Sequence, residues 1–485
     1  MSEHPKHFKQ SLGLIDATML VAGSMIGSGI FIVSADVARN LGSSGWLLVA
    51  WVLAGALTLI AALSYGELAG MYPKAGGQYV YLRKAFNPLI AFMYGWTLFT
   101  VIQAGTIAAV AVAFAKFSSY FLPWFGEQNI LFTMGGWSLK GSQILAVVSI
   151  WVLTAINLRG VNMGKMVQTT FTLAKLLAIF GLIVLGFTIG YNPDVVKINF
   201  TDMWHAMKWD GTSFQSISGM ALVMALGASM VGTLFSSDAW NNVTFIAGEI
   251  KHPQRNIPRS LFFGTLIVTI IYLLTNVAYL SILPLQGTPN MNDVLANGIS
   301  FPEFDRVGTS AASMIFGVAA AAIMSALIMV STFGCNNGLI LSGSRLYYAL
   351  AKDGLFFRKA GQLNKNAVPA FGLIIQAIWA SVLCFSGTYG ALLDYTIFAA
   401  LLFYILTVIG IFRLRYTQPD VPRPYKAFGY PVLPALYILL AGAIAIILLV
   451  DKTENTLPGL LIVLLGIPIY YIIKRRGIKP AELDE

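Results

Sequence analysis

Charge is what this sequence has least of. Only 11% of its 485 residues are charged and 57% are hydrophobic, whereas a soluble chain carries roughly 25% charged residues. So little charge cannot cover the surface of a water-soluble protein of this length, and the mean hydropathy of +0.73 says the same. Histidine is scarce too. His4, His7, His205 and His252 all fall outside the long apolar runs, which leaves no histidine cluster for catalysis or metal binding. Two cysteines, Cys335 and Cys384, make neither a disulfide framework nor a zinc site. A phosphate-binding glycine loop of the ATPase type and a nucleophile–base pair are also missing. No cofactor, metal or enzymatic reaction is expected. Met1 to Gln10 is polar without a cleavable signal pattern, so the first apolar run reads as a retained span.

The net charge of +10 does not point to nucleic acid, because the cations sit in short clusters between apolar runs. Such punctuation orients membrane spans, cytoplasmic loops being richer in Lys and Arg, and it suits contact with anionic lipid. Twelve apolar runs read as spans: Leu14–Ala38, Trp46–Met71, Leu89–Leu122, Gly141–Asn157, Val167–Gly190, Ser218–Gly248, Ser260–Pro284, Thr309–Leu341, Pro369–Ser386, Tyr389–Phe412, Pro431–Val450 and Leu457–Ile473. They are too long and too uniformly apolar for barrel strands, so the expected class is an all-α integral membrane protein. With both termini cytoplasmic, the inner loops hold Lys74, Arg83, Lys165, Arg255, Arg345, Arg358, Arg415, Arg423 and the Lys474–Arg476 cluster. The other side keeps scattered cations such as Arg39, Lys140, Lys197, Lys208, Arg306 and Lys452. This asymmetry also predicts one tilted helix, not two spans, over Thr309–Leu350.

Two spans are interrupted. The first carries Gly23-Ser24-Met25-Ile26-Gly27-Ser28-Gly29, three glycines and two serines in seven residues, a composition that weakens a helix. Unwound backbone in a bilayer is tolerated only where it is buried or lines a cavity. A half-helix restarting near Gly27 would offer free N–H groups and a positive dipole end to a carboxylate. Close helix packing through small residues is the other reading of the same spacing. The sixth span is interrupted at Gly232-Thr233-Leu234-Phe235-Ser236-Ser237-Asp238-Ala239-Trp240-Asn241-Asn242. A carboxylate inside a span costs roughly 2.5–3.5 kcal/mol on insertion scales. Carbonyls freed there could receive an ammonium, with Phe235 as a gate over the ligand. The bland alternative is that Asp238 bonds only neighbouring backbone or Asn241. Each interrupted span opens a block of five, and an odd number inverts the second block relative to the first, an arrangement that points to a transporter.

Lys175 is the one basic residue well inside a span, about eight residues or roughly 12 Å from its cytoplasmic end. It could snorkel to the surface, or act as a fixed internal cation holding unwound carbonyls where other carriers use sodium. Asp16, Glu67 and Asp394 lie near span ends and read as structural. Gln103, Thr106, Asn157 and Asn276 read as interhelical hydrogen-bonding residues.

These segments resemble the amino acid–polyamine–organocation superfamily. Gly23 to Phe31 looks like its first-span signature, and Pro73-Lys74-Ala75-Gly76-Gly77-Gln78-Tyr79 like its first cytoplasmic loop. Asp238 to Asn242, Gly248 to Lys251 with Arg255 to Pro258, Ser344-Arg345-Leu346 with Asp353-Gly354, and Arg423 to Lys426 are similar to the L-type amino acid transporter branch. The resemblance implies the LeuT fold: one transmembrane domain over residues 1–485, with inverted five-helix repeats at 14–190 and 218–412 and two further helices at 431–473. It implies alternating access and sodium-independent amino acid exchange. The substrate carboxylate would meet Ser28 and Gly29, and the amine carbonyls near Met25, Phe235 and Asp238. Ser24, Gly27 and Ser236 complete the candidate site, and Lys175 matches the lysine that replaces sodium. Animal members carry a heavy chain linked through a cysteine after the third span. Pro123–Lys140 has none, so no such partner is expected and a bacterial inner-membrane origin is. Ser236-Ser237-Asp238-Ala239 departs from the commoner Ala-Tyr-(Gly or Asp)-Gly, which reshapes the side-chain pocket. A neutral amino acid exchanger is the leading expectation, with a cationic amino acid carrier and a proton- or sodium-coupled symporter as rivals. A channel would need a continuous polar stripe, and no span has one.

Overall fold

The computed structural model describes residues 8, 10–135, 137–386 and 389–475; His4, His7 and Arg476 lie outside the described residues. Helices dominate because a bilayer offers backbone N–H and C=O groups no partner but each other. The first span is two helices, α1 (Leu14–Met25) and α2 (Gly29–Leu41), bent by 40°. Then come α3 (Ser44–Met71) and the short α4 (Gln78–Ala85). The third span joins α5 (Pro88–Thr97) to α6 (Gln103–Ser118) through a π-helical segment, Leu98–Ile102. The hairpin of β1 (Ile130–Met134) and β2 (Trp137–Lys140) leads to α7 (Gly141–Leu158), α8 (Val161–Thr188) and the short α9 (Pro193–Thr201). A second hairpin, β3 (Met207–Trp209) and β4 (Phe214–Ser216), precedes α10 (Gly219–Ser236) and α11 (Asn242–Phe245). The remainder is α12 (Pro253–Ile282), α13 (Val294–Asn297), α14 (Val307–Phe316), α15 (Val318–Lys352), α16 (Ala370–Ser386), α17 (Tyr389–Thr417), α18 (Val432–Asp451) and α19 (Thr453–Arg475).

Among the described residues ten helices are long and apolar enough to cross a membrane, eleven with the bent first pair. The expected span Pro369–Ser386 falls on the shorter apolar helix α16. The single tilted helix expected over Thr309–Leu350 is corrected. The chain breaks at Gly317, whose φ of 68° is left-handed and ends α14 before the long α15 begins. The half-helix expected near Gly27 starts at Gly29. α1 and α2 lie in the middle of the bundle, packed against α8, α10, α12 and α15.

The two ends of the bundle differ. Arg39, Lys140 and Lys452, which the charge pattern puts on one side, line a single cavity of about 350 Å³. Cross-links close the opposite end. Asp16 pairs with Lys165 at 2.8 Å, and the wholly buried Arg345 pairs with Glu249 at 2.8 Å. Arg83 and the Tyr79 hydroxyl both reach Asp353. Glu67, 1% exposed, accepts from Arg415 Nε at 3.0 Å, from Arg415 Nη2 at 2.7 Å and from the Ala427 amide at 2.7 Å, with Arg423 Nε at 3.3 Å. One carboxylate thus ties α3 to the end of α17 and to the loop after it. Removing one partner of a buried pair costs about 3–5 kcal/mol. Glu67→Ala is expected to lose an amount near the lower end of that range, since Arg415 is partly exposed. Thermal unfolding of the purified protein in detergent measures it, and an unchanged midpoint would contradict the structural role.

Candidate functional site

Interrupting a helix at mid-membrane orphans carbonyls that water cannot satisfy. Here each finds a donor. Lys175 of α8 donates from Nζ to Gly23 O at 2.5 Å and to Ile26 O at 2.6 Å, with Ser331 O of α15 at 3.4 Å. Cys335 Sγ donates to Ser24 O at 2.9 Å. Tyr272 of α12 lies within hydrogen-bond reach of Met25 O at 3.1 Å and of Ser236 O at 3.0 Å, bridging the two interrupted spans. Ser331 Oγ serves Ile26 O at 3.3 Å and Gly27 O at 3.2 Å, and the Phe31 amide serves Ser28 O at 3.0 Å. Lys175 is 1% exposed, so it does not snorkel. Its charge sits at the C-terminal, negative end of α1, where a cation is favoured.

The glycines do both things that their spacing allows. A Cβ at Gly23 would collide with Thr172 and Gln168 of α8, and one at Gly27 would crowd Cys335. A Cβ at Gly29 would run into Ser236, backbone included, so the two interruptions touch. Close packing and an open backbone occupy the same seven residues. As a result the N-terminal end of α2, where first-turn N–H groups lack helical acceptors, lies beside the C-terminal end of α10. Opposite dipole ends meet there, which matches the two charges of a zwitterion. Phe235 and Ser236 sit in the last turn of α10, buried, and Ser236 Oγ donates to Gly232 O at 2.8 Å. Ser24 Oγ is buried without a hydrogen-bond partner.

Asp238 takes a different direction from its neighbours. Its Oδ1 accepts from Tyr404 of α17 at 2.5 Å, not from Asn241, whose amide donates to Gln78 at 3.0 Å. Trp240 and Tyr404 line a small cavity with it, and Tyr65 packs on both rings with centroids 4.7 and 6.0 Å away. The cavities beside Asp238 measure only about 10 and 20 Å³, and the π-helical segment of the third span lines one of them. The larger cavity reaches down to Ile32 and Val33 on α2 and to Ala228, Val231 and Gly232 on α10, one turn above Gly29 and Phe235.

Three residues of this site, Tyr272, Ser331 and Tyr404, are absent from the sequence reading, and Cys335 enters it only as a cysteine without a disulfide or zinc role. Tyr272 had a legible signal. With Asn276 and Tyr279 it forms a helically spaced stripe, and Asn276 accepts from Ser34 Oγ at 2.6 Å while Tyr279 donates to Ile30 O at 3.3 Å. Asn157 bonds Asn337 at 2.9 Å and Gln103 bonds Leu339 O at 2.7 Å across helices, as expected. Thr106 is corrected: its hydroxyl donates to Ile102 O of its own span at 2.7 Å.

A family model described as amino acid permease matches residues 12–473. The chain belongs to the amino acid permease family. Within the amino acid–polyamine–organocation superfamily it is a permease like the L-type transporters, a class of carriers and not of enzymes. The permease is 30% identical to the serine/threonine exchanger SteT of Bacillus subtilis, over 96% of this chain and 98% of that protein. It is 30% identical to large neutral amino acids transporter small subunit 2 of Mus musculus, over 96% of this chain and 81% of the relative. The b(0,+)-type amino acid transporter 1 of Mus musculus is 27% identical, with 96% of this chain and 88% of that one covered. The permease is therefore a multi-pass membrane protein that carries amino acids.

Replacing Lys175 by Met leaves Gly23 O without its donor and Ile26 O with only Ser331. About 1–3 kcal/mol is expected to be lost per unsatisfied buried group. Lys165→Met, which breaks the part-exposed pair with Asp16, is expected to cost under about 1 kcal/mol. Thermal unfolding of both variants in detergent tests the ranking, and equal losses would contradict it.

Proposed function

We propose that the permease exchanges neutral L-amino acids across a bacterial inner membrane by alternating access, without sodium. The observation that carries this reading is the Lys175 ammonium on the Gly23 and Ile26 carbonyls, 2.5 and 2.6 Å away. A permanent cation there supplies the charge that a bound sodium ion supplies in carriers of related design. The carboxylate of the substrate is received at Ser28 and Gly29 by the N-terminal end of α2. Its ammonium meets the carbonyls at Met25, Phe235, Ser236 and Asp238, with Ser24 and Gly27 completing the backbone cradle and Phe235 as gate. Both termini are cytoplasmic. The chain is one transport domain over 1–485 on the LeuT plan of twelve helices, with inverted repeats at 14–190 and 218–412 and two more helices at 431–473. The state described faces outward: the cavity of about 350 Å³ opens on the side of Arg39 and Lys452, and the ion pairs of Glu249 and Asp353 hold the cytoplasmic end shut.

Neutral substrates are favoured by two relatives whose names specify serine/threonine exchange and large neutral amino acids. One observation favours a cationic substrate instead. Asp238 is a buried carboxylate among aromatic rings, a setting that suits a cation. Its engagement by Tyr404 decides against this as the resting preference. In proteoliposomes, serine, alanine or leucine is expected to drive counterflow of labelled neutral substrate and arginine is not. Arginine-driven counterflow without serine- or alanine-driven counterflow would overturn the neutral reading. Ser28→Leu is expected to weaken substrate binding at least tenfold by filling the carboxylate end, and unchanged binding would remove Ser28 from the site. Tyr404→Phe frees an acceptor on Asp238 and is expected to raise competition by arginine several-fold.

A further inference from the structure

The β1–β2 hairpin carries an apolar surface that transport does not explain. Every residue of β1 is exposed: Ile130 is 55% accessible, Phe132 53% and Met134 66%, with Leu131 and Thr133 between them. Side chains alternate faces along a strand, so Phe132 and Met134 share one face, and the irregularity at Leu131 leaves Ile130 and Leu131 exposed beside them. Trp124, in the turn just before it, is 53% exposed. No charged residue occurs from Gln128 to Leu139. A lone two-stranded hairpin is marginal in water, and a contiguous exposed apolar patch marks a contact surface.

The second hairpin shows what a water-facing ribbon on this protein looks like. Trp209 packs on Phe214 at 5.2 Å and on Phe301 at 4.8 Å, and Asp210 caps the turn by accepting from the Thr212 and Ser213 amides. Its aromatic rings are half-buried against one another and its tip is polar. The first hairpin is built the other way, and its base fixes where it lies. The Gly141 amide donates to Asn129 O at 3.0 Å and Asn129 Nδ2 to Trp124 O at 2.7 Å. The ribbon is therefore pinned to the first residue of α7, a spanning helix whose outer face shows Val148, Trp151 and Val152 to lipid. The hairpin thus sits at the level where this span begins. Exposed tryptophan and phenylalanine are the side chains that settle at that level of a bilayer.

We infer that the β1–β2 hairpin lies on the membrane, with Ile130, Phe132, Met134 and Trp124 in the headgroup–acyl boundary of the leaflet on the cavity side. The partner is lipid and not protein. Glu127 and Lys140 at the base of the ribbon line the large cavity, so the contact holds one rim of the cavity mouth against the bilayer.

The test is a fluorescent label at Met134→Cys, with Cys335 and Cys384 both buried and out of reach of the reagent. The labelled full chain is reconstituted in phosphatidylcholine–phosphatidylglycerol vesicles, alongside the same label at Gln215→Cys on the second hairpin. At Met134 the label is expected to be quenched several-fold more by shallow nitroxide lipids than by aqueous iodide, with the reverse at Gln215. Adding Phe132→Glu is expected to move the Met134 label towards the iodide pattern. Iodide quenching at Met134 equal to that at Gln215 would overturn the proposal. So would protection that disappears when the protein is diluted into excess lipid, since that would mark contact between copies. Specific uptake alongside either result shows that the fold and the transport reading stand apart from this proposal.

Discussion

Backbone interrupted inside a membrane survives only if every carbonyl it releases is given a donor, because lipid supplies none. From Gly23 to Gly27 this chain meets that demand with side chains drawn from three separate spans: Lys175, Tyr272, and the pair Ser331 and Cys335. The rest of the site follows from it. The donors must come close, so Gly23 and Gly27 must be small. The helix must restart, so α2 presents its N-terminal end at Gly29 beside the C-terminal end of α10. One of the donors must carry charge, because Gly23 O and Ile26 O converge on a point at the negative end of α1. Lysine meets that need with three hydrogens and a full positive charge.

The architecture adds an asymmetry to this centre. Above Gly29 and Phe235 the helices part into a cavity of about 350 Å³ with charged walls. Below, the buried Glu249–Arg345 pair, the Asp353 cluster and the Glu67 cluster bind the helices to one another. In the proposed alternating-access cycle, opening the lower end separates these pairs into water, which rehydrates charges that burial had stripped. An end closed by ion pairs can therefore be both shut and reversible. Tyr272 lies within hydrogen-bond reach of both interruptions and so ties them to each other.

How much of this could be read from the residues alone depends on how local the physics was. Apolar runs, their loops and the two interruptions are local, and most of the long helices begin and end within a turn or two of the expected limits. The break at Gly317 was missed because an apolar run does not reveal that one glycine within it adopts a left-handed backbone. Lys175 stood out in the sequence because a lysine deep in a span has few options. Its snorkelling alternative is removed by its burial. Ser331, Cys335 and Tyr404 were not legible: a serine, a cysteine and a tyrosine in apolar helices are ordinary, and only the meeting of distant spans gives them partners. Asp238 was rightly marked as costly. Its partner is not the nearby Asn241 but a tyrosine 166 positions later.

On the proposed function, a fixed ammonium does the work of a coupling ion at the first interruption. Initial uptake of labelled substrate into proteoliposomes, with sodium replaced by choline at constant ionic strength, tests it directly. The rate is predicted to stay the same within error across the replacement. A rate that collapses without sodium would show that an ion is still required and that Lys175 does not take its place.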